Sequence, residues 1–272
     1  MSVFPPSQWA LVLGASSGFG LATARKLASQ GLNVCLVHRD RRGAMDRIET
    51  AFDEIRAFGR GFLSFNLDAL SPEGVAEAIA GLQAAGAAGS LRVLLHSIAF
   101  GNLKPIAPVQ DQALKAVYGD ALTEDEDMAR TIYSMGTSLL TWVQAAFRAG
   151  LFAPDARVFG LTSEGNEVAW RGYAAVSAAK TALEALSRSI AVEYAPYGIR
   201  SNIIQAGVTD TPALNAIPGA ELMKQHSIAR NPFGRLTRPE DVAGVIALLS
   251  QDDAAWVNGA LIRVDGGERV AG

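Results

Sequence analysis

Seven short apolar runs alternate with segments of helical spacing, and this alternation constrains the fold more than any other feature. The runs cover residues 10–14, 33–38, 61–67, 92–97, 157–162, 200–205 and 260–264. Helical spacing is found in 21–30, 72–85, 129–148, 174–195 and 239–250. Because the runs are continuously apolar, both faces of each strand are predicted to be covered. We expect one α/β domain over residues 1–272, a doubly wound sheet of about seven parallel strands with helices on both faces.

Composition limits the classes of partner. The net charge is −3 and no basic run is longer than the cluster at 39–42, so nucleic acid is not an expected partner. The only cysteine, Cys35, lies in an apolar run, and no Cys/His cluster predicts a metal site. The first residues lack the pattern of a signal peptide and no apolar stretch is long enough to span a bilayer. A cytoplasmic protein without membrane contact is therefore expected.

A glycine-rich loop joins the first predicted strand to the first predicted helix, which is expected to begin at Leu21. The glycines follow a G-x-x-x-G-x-G pattern. In this context they permit a sharp turn, let backbone amides approach a pyrophosphate and allow the helix to pack closely on the strand. The sequence therefore predicts a dinucleotide site whose loop residues are Gly14, Ser16, Ser17, Gly18, Phe19 and Gly20.

The ends of the second and third strands indicate which dinucleotide binds. An acidic residue at the end of the second strand would favour NAD, but His38 stands there and Arg39 follows. A guanidinium favours the extra phosphate of NADP, so NADPH is expected in preference to NADH. The alternative is that the arginines of the 39–42 cluster are only solvated and that Asp40 binds the ribose. Asp68 follows Leu67 just past the third strand, where it can contact the adenine or cap the next helix.

Tyr173 and Lys180 lie seven residues apart in a segment of helical spacing. Two helical turns place the side chains on one face, roughly 10 Å apart along the axis. A phenol and an ammonium at this separation can contact one bound molecule from two sides, which indicates a catalytic pair. The alternative is an amphipathic helix with an interfacial tyrosine and a lysine that extends to solvent.

These features resemble the short-chain dehydrogenase/reductase superfamily over nearly the whole chain, and they imply a Rossmann fold. Residues 199–204, 206–211 and 264–267 add to the resemblance. It implies that the stretch at 207–211 binds the nicotinamide end and the phosphates. The further cofactor contacts that it implies are Ser97, Ile98, Ala99, Lys180, Gly207, Val208, Thr209 and Thr211.

Two departures from the commoner members point to one branch. Those members carry Tyr-x-x-x-Lys, which would place the tyrosine at position 176, where this chain has Val176. Their Asn-Asn-Ala-Gly motif is replaced by His-Ser-Ile-Ala at 96–99. Tyr-x6-Lys with His-Ser-Ile-Ala resembles the enoyl-acyl-carrier-protein reductases, which reduce the carbon–carbon double bond of fatty acyl thioesters. This resemblance implies that Tyr173 donates to the substrate oxygen and that Lys180 holds the nicotinamide ribose.

Ser163 lies where many members of that branch carry a second aromatic residue and where ordinary dehydrogenases carry a catalytic serine. Two interpretations stay open: a part in catalysis, or a strand-end hydroxyl that bonds nearby backbone. The glycine loop also follows the ordinary pattern, which some reductases of the branch keep and combine with the use of NADPH.

A long connection at 209–235 carries three prolines around a short helical piece at 220–225. It follows a strand end, where open α/β sheets bind their ligands, so it is predicted to be a substrate lid. A plain surface connection is the alternative. Trp170, Phe100 and residues 213–223 are predicted to line an acyl pocket, with ordinary packing as the alternative.

The expected function is NADPH-dependent reduction of an enoyl thioester, carried by acyl carrier protein or coenzyme A, in fatty acid or related acyl biosynthesis. One alternative is a carbonyl reductase acting on a 3-ketoacyl thioester or another ketone. The other is a non-catalytic NADP-binding sensor or scaffold. The resemblance also implies a homodimer or homotetramer paired through the helical segments at 129–148 and 174–195.

Overall fold

A computed structural model describes residues 3–271, and within them seven strands form one parallel sheet. The strands are β1 (Trp9–Leu13), β2 (Asn33–His38), β3 (Phe62–Asn66), β4 (Leu91–His96), β5 (Phe152–Thr162), β6 (Ile199–Ala206) and β7 (Leu261–Val264). Every apolar run predicted to be a strand forms one, and β5 begins five residues earlier than its run. The predicted doubly wound fold is confirmed.

The sheet order is β3-β2-β1-β4-β5-β6-β7, so the chain reverses direction across the sheet between β1 and β4. Leu13 at the end of β1 pairs with Val37 on one side and with His96 on the other. The connections that leave β1 and β4 diverge from this point and open a crevice above the carboxyl ends of the strands. The crevice is where a doubly wound sheet binds its ligand.

Ten α-helices lie within the described residues. They are α1 (Gly18–Ser29), α2 (Met45–Arg56), α3 (Pro72–Ala84), α4 (Gln112–Tyr118), α5 (Asp125–Ile132), α6 (Ser138–Arg148), α7 (Ala174–Glu193), α8 (Pro212–Asn215), α9 (Ala220–Arg230) and α10 (Pro239–Leu249). The first helix begins three residues before the predicted start, because the amide of Leu21 already donates to the carbonyl of Ser17. The prediction of a start at Leu21 was therefore wrong.

Two predicted segments differ from the structure in their internal organisation. The segment 129–148 is divided by a π-helical turn, Tyr133–Thr137, which separates α5 from α6. The preceding residues, 101–127, are irregular in the sequence, but they contain α4, whose first turn is capped by the Asp111 carboxylate on the amide of Leu114. In the predicted lid, the short helical piece extends as α9 to Arg230.

Apolar side chains cover both faces of the sheet. Trp142 of α6 and Leu183 of α7 pack with α3 on one face, and Phe52 of α2 and Ile246 of α10 pack with α1 on the other. Cys35 is fully buried in β2, as its apolar run predicts. In the part of the chain that the structure describes, no helix is both long enough and apolar enough to cross a membrane.

A charged cluster lies at the end of the sheet opposite the crevice. Asp155 of β5 accepts hydrogen bonds from Arg92 at 2.6 Å, from Arg157 at 2.5 Å and from Arg200. Arg92 also donates to the carbonyl of Ser250 at the end of α10, at 2.9 and 2.7 Å. The side chains of Arg92 and Arg157 are 3% and 0% exposed, and Arg92 also pairs with the exposed Asp252 at 2.7 Å. Asp155 is thus the carboxylate that the three guanidinium groups share.

Candidate functional site

A cavity of about 250 Å³ opens above the carboxyl ends of the central strands. Ser163, just past β5, and Tyr173, Val176 and Lys180, at the start of α7, line its wall. The opposite wall belongs to the lid segment, residues 209–235, through side chains that include Leu214, Ile217 and Met223. The predicted tyrosine–lysine pair and the predicted lid therefore meet in one space.

Tyr173 is the residue before the first turn of α7, and its hydroxyl lies 3.3 Å from the Ser163 hydroxyl. The ring packs edge-on against Trp170, with 5.3 Å between the centroids. Its close fit needs a glycine at position 165, because a Cβ there would stand 2.3 Å from the tyrosine ring. Burial raises the pKa of Tyr173, although the Ser163 hydrogen bond opposes this, so the phenol keeps its proton at neutral pH.

Lys180 is buried beneath the cavity, 7% exposed, and its ammonium donates to the carbonyl of Leu161 at 2.8 Å. Burial lowers the pKa of Lys180 to about 8, although the carboxylate of Glu184 one helical turn later favours the charged form. One N–H of the ammonium is used on β5, and two are available for hydroxyl groups of a bound molecule. The lysine is thus a fixed cation in the cavity that Tyr173 also lines.

Glu184 also holds the loop that carries Ser163. Its Oε1 accepts from the hydroxyl of Thr162 at 2.7 Å and from the amide of Asn166 at 2.6 Å. The loop between these two residues is therefore tied to α7, the helix of Lys180. The spacing of four from Lys180 places Glu184 on the same helix face, a signal from which the sequence could have identified it.

Val176 is 3% exposed and packs against Met135 of the π-helical turn while lining the cavity. Position 176 is thus part of the site wall, but it presents methyl groups where the commoner dehydrogenases would have a phenol. The hydroxyl in this chain reaches the cavity from Tyr173, three residues earlier on the same helix face.

His96 ends β4 in a buried chain of hydrogen bonds. Its Nε2 lies 2.8 Å from the hydroxyl of Ser138, which donates to the carbonyl of Ser134 at 3.0 Å. Because the Ser138 proton is directed to that carbonyl, Ser138 accepts from His96 Nε2–H. Burial, and then the charge of Lys180, lower the pKa of His96 to about 3, so the ring stays neutral. His96 supports the π-helical turn below the site.

The glycine loop fits a pyrophosphate. Gly14 has φ +80°, and a Cβ there would stand 2.4 Å from the carbonyl oxygen of Ser97, so only glycine lets β1 and β4 approach this closely. The Ser17 side chain makes no capping hydrogen bond at the start of α1, which leaves the amides of the first turn for an anion. The residues present therefore suit a dinucleotide.

At the end of β2, Arg39 donates to Asp68 at 2.7 Å, and its guanidinium lies 5.0 Å from the centre of the Phe100 ring. Asp68 also accepts from the amide of Leu70 at 2.9 Å, so it shapes the turn before α3. The buried ring of His38 bonds to Asp40 at 3.0 Å. Arg39 and Asp40 both stand at the rim where the sequence places the adenosine ribose.

The predicted cofactor residues fall into two groups. One group lines the cavity together with Lys180: Phe19, Ser97, Ile98, Ala99, Gly207, Val208, Thr209 and Thr211. The other group lies around the ends of β1, β2 and β3: Gly14, Ser16, Ser17, Gly18, Gly20, His38, Arg39, Leu67 and Asp68. The two groups approach each other where Gly18 faces the Thr211 side chain.

The acyl-pocket prediction holds for some residues and fails for one. Trp170 and, from the lid segment, Ala213 and Met223 line the cavity. Phe100 does not: its ring is exposed at the surface, where the guanidinium groups of Arg39 and Arg130 pack against it at 5.0 and 4.9 Å. The prediction for Phe100 was wrong because two arginines from distant segments cover the ring, which the sequence does not indicate.

Sequence reasoning missed an ionic cluster in the cavity wall. Arg230 at the end of α9 bonds to Glu164, at 2.8 and 3.0 Å, and to Glu268, at 3.2 Å. These residues are 66 and 38 positions from Arg230, so no local spacing relates them. As for metals, no group of three or more potential ligands occurs within residues 3–271.

Comparisons with known proteins agree with this architecture. A family model described as enoyl-(acyl carrier protein) reductase matches residues 14–268. The cis-4-hydroxycyclohexanecarboxylate dehydrogenase of Sinomonas cyclohexanicum is 34% identical over 95% of each chain. A Bacillus subtilis protein named "Probable 2,4-dienoyl-CoA reductase" is 28% identical over 95% of each chain.

A solved structure supports the fold. The enoyl-[acyl-carrier-protein] reductase (NADH) from Aquifex aeolicus VF5 superposes with a TM-score of 0.80, at 24% identity, over 97% of each chain. Sheet order, glycine loop and family match agree with one another. The chain belongs to the short-chain dehydrogenase/reductase superfamily and is an oxidoreductase of that superfamily.

Proposed function

We propose that the protein reduces the carbon–carbon double bond of an enoyl thioester with NADPH. The observation that carries this proposal is the pairing of Tyr173 and Lys180 in one cavity, with Val176 at the position where a carbonyl reductase would have its tyrosine. The displaced phenol suits a reaction in which two carbon atoms separate the oxygen that becomes negative from the carbon that receives hydride.

The bound nicotinamide would supply the hydride, and this chain's residues would manage the charge that results. Hydride addition to the β-carbon would move negative charge onto the thioester oxygen, which then needs a positioned donor. The enolate would then take up one proton, drawn from solvent, at its α-carbon, which completes the reduction. Tyr173 fits this role because burial keeps its phenol protonated. Lys180 supplies a nearby positive charge and N–H groups for ribose hydroxyls.

We propose NADPH as the preferred cofactor because the end of β2 presents Arg39 instead of a carboxylate. The guanidinium is half exposed and pairs with Asp68, so it can turn to a phosphate without a large loss of protein contacts. Comparison of the dissociation constants of NADPH and NADH tests this preference. Replacement of Arg39 by Met should reduce NADPH affinity far more than NADH affinity.

NADPH affinity is expected to fall as the pH rises above about 8. Burial lowers the pKa of Lys180 to about 8, so in the free protein the ammonium loses its proton as the pH passes this value. Hydroxyl contacts of the cofactor favour the charged form, so binding above this pH takes up a proton. Affinity should therefore decrease by up to about tenfold per pH unit. Fluorescence titration measures it, and Lys180→Met should show no such decrease.

The substrate we propose carries an acyl chain between Trp170 and the lid segment. A second, smaller cavity adjoins the main one and shares Trp170, Ile217 and Met223 with it, while Tyr118 of α4 lines its far side. The volume of this second cavity is about 30 Å³, so an extended acyl chain in the main cavity would place only its terminal carbon there. Carriage by acyl carrier protein or coenzyme A, a part in fatty acid biosynthesis and assembly as a homodimer or homotetramer belong to the same proposal.

Met223→Trp is expected to shorten the acyl chain that the enzyme accepts. The larger side chain would block passage into the second cavity, so KM for an octenoyl thioester should rise about tenfold while KM for crotonyl thioester changes less than about twofold. Steady-state kinetics with both substrates measures this. The matched control is Leu222→Trp, since Leu222 is 73% exposed on the same helix. Equal effects on both substrates would argue against the chain path.

A second candidate is the oxidation of an alcohol or the reduction of a ketone. It is favoured by the Ser163 hydroxyl at 3.3 Å from Tyr173, which together could bind a carbonyl oxygen, and by the alcohol-type relative named above. In this case the hydride acceptor would be the carbon attached to that oxygen. Ser163→Ala should then abolish activity, whereas an enoyl reductase should lose less.

The experiment that separates the candidates compares crotonyl thioester, acetoacetyl thioester and cyclohexanone as oxidants of NADPH, with cyclohexanol and NADP⁺ for the reverse direction. Preferential NADPH oxidation with crotonyl thioester is the expected result. Preference for acetoacetyl thioester or the cyclic substrates would replace the proposal by the second candidate. Tight NADPH binding without turnover of any substrate would favour a sensor or scaffold.

A further inference from the structure

We propose that Arg230 is a positioning residue that joins the lid segment to the loop of Ser163 and to the turn behind the nicotinamide-binding stretch. Through these contacts it would fix the distance between the lid segment, which forms one wall of the cavity, and the Ser163–Tyr173 pair on the opposite wall. The inference rests on the proposed function in one respect, since it takes the cavity as the place of reaction. Neither the superfamily assignment nor the tyrosine–lysine pattern implies this role.

Arg230 holds three segments that are far apart in the sequence. It is the last residue of α9, and its Nη2 lies 2.8 and 3.0 Å from the two carboxylate oxygens of Glu164. The same nitrogen lies 3.2 Å from Oε1 of Glu268, in the turn after β7. The side chains of Glu164 and Glu268 are 14% and 2% exposed. The guanidinium therefore connects the lid segment to two largely buried acids.

The contact depends on the positive charge of Arg230. Two carboxylates face one guanidinium, so removal of Arg230 leaves two like charges near each other in a poorly hydrated wall. Loss of one partner of a buried ion pair costs much more than loss of an exposed pair, because the remaining charge has no solvent. The acids would then separate or take up water, and their segments would move with them.

Both acids are directly connected to the site. Glu164 follows Ser163 and lines the cavity, so a shift of its backbone shifts the serine hydroxyl. Glu268 accepts with its second oxygen from the amide of Val208 at 3.2 Å, and this residue lines the cavity on the cofactor side. Position 207 is packed against the same oxygen, because a Cβ there would stand 2.8 Å from it.

The loop of Ser163 has other anchors, and these define what Arg230 adds. One is Arg269, in the turn after β7, which donates to Glu167 at 3.1 Å, and another is Glu184. Glu184 fixes Thr162 and Asn166 to α7, which sets the loop relative to Lys180. Arg230 fixes Glu164 to α9, which sets the same loop relative to the lid segment. Without Arg230 the anchors on α7 and on the turn after β7 persist, while the bond between the loop and α9 is lost. Substrate placement should therefore suffer more than cofactor binding.

The test is Arg230→Met in the full-length protein, with Arg56→Met as the matched control. Arg56 also bonds to two carboxylates, Glu49 at 2.9 Å and Asp53 at 2.7 Å, but on the outer surface of α2. We expect Arg230→Met to raise KM for crotonyl thioester about tenfold and to lower kcat about threefold, with NADPH affinity within about threefold of the unmodified protein. Arg230→Lys should give an intermediate KM, and Arg56→Met should leave all three constants unchanged.

Hydrogen exchange measured with NADPH alone tests the contact without substrate. In Arg230→Met, amides of α9 and of residues 164–167 should exchange at least about tenfold faster, while those of α2 keep their rates. Unchanged exchange in α9 would overturn the inference even if the protein is an enoyl reductase. Faster exchange throughout the chain would overturn it as well, since a general loss of stability explains that result. Local acceleration in a protein that reduces no thioester supports the contact and rejects the proposed function alone.

Discussion

Tyr173→Phe is expected to lower turnover of an enoyl thioester by about 10²–10³-fold, while the dissociation constant of NADPH changes less than about twofold. The variant keeps the ring and therefore its packing on Trp170. It loses only the hydroxyl, the one group of this side chain that can donate to an oxygen on which charge develops. The lysine that would hold the ribose stays bonded to the carbonyl of Leu161. Single-turnover kinetics and fluorescence titration measure the two quantities.

Ser163→Ala provides the control for this result. It removes the other hydroxyl, 3.3 Å away, and leaves the phenol in place, so an enoyl reductase should retain most of its turnover. If Tyr173→Phe retained turnover and Ser163→Ala lost it, the serine would be the donor and the assignment of Tyr173 would be wrong. Loss of activity in both variants would indicate that the pair acts together, as the second candidate function requires.

Asp155→Asn is expected to reduce the free energy of unfolding by about 3 kcal/mol. The amide keeps the shape but removes the negative charge that faces three guanidinium groups, of which Arg157 is fully buried. This value is at the lower end of the range for breaking a buried ion pair, because the Asp155 side chain is 35% exposed. Urea denaturation measures the loss. Asp53→Asn, at an exposed pair on α2, should cost less than about 0.5 kcal/mol.

The effect of Asp155 should depend on pH in a defined direction. Partial burial would raise the pKa of Asp155, but the hydrogen bond from Arg157 and the charges of all three arginines outweigh this and lower it. A carboxyl with a lowered pKa stabilises the fold above its ordinary value, about 3.9, and loses this contribution as the pH falls further. The difference in the free energy of unfolding between Asp155→Asn and the unmodified protein should therefore become smaller below about pH 4. A difference that is constant down to pH 3 would contradict an electrostatic cause.

The fold was predictable because its determinants are local. Continuous apolar runs such as Asn33–His38 identify buried strands, and the helical spacing between them identifies crossovers. The superfamily was also predictable, from the glycine loop and the Tyr173–Lys180 spacing. The errors lie at one element end and at one break. The periodicity begins at Leu21, whereas the first hydrogen bond of α1 reaches back to Ser17, and the π-helical turn divides the segment 129–148.

The rest of the site depends on contacts between distant segments. The pairing of Arg230 with Glu164 and Glu268 joins three parts of the chain whose sequences have no common pattern. Phe100 shows the same limit: as an apolar residue after a strand it was assigned to the pocket, whereas Arg39 and Arg130 cover it at the surface. The positions of such residues depend on loop geometry, which single-sequence patterns do not contain.

The reversal of strand order between β1 and β4 has a consequence for how such proteins diverge. The predicted adenosine side of the crevice comes from residues before 70, and the predicted reaction side comes almost entirely from residues after 96. Within the crevice the two parts meet at Gly14 against Ser97 and at Gly18 against Thr211, and outside it α1 packs extensively against α10. Recombination near the end of β4 would therefore exchange the preference for a substrate while the preference for a coenzyme is inherited intact, provided that the packing between α1 and α10 is kept.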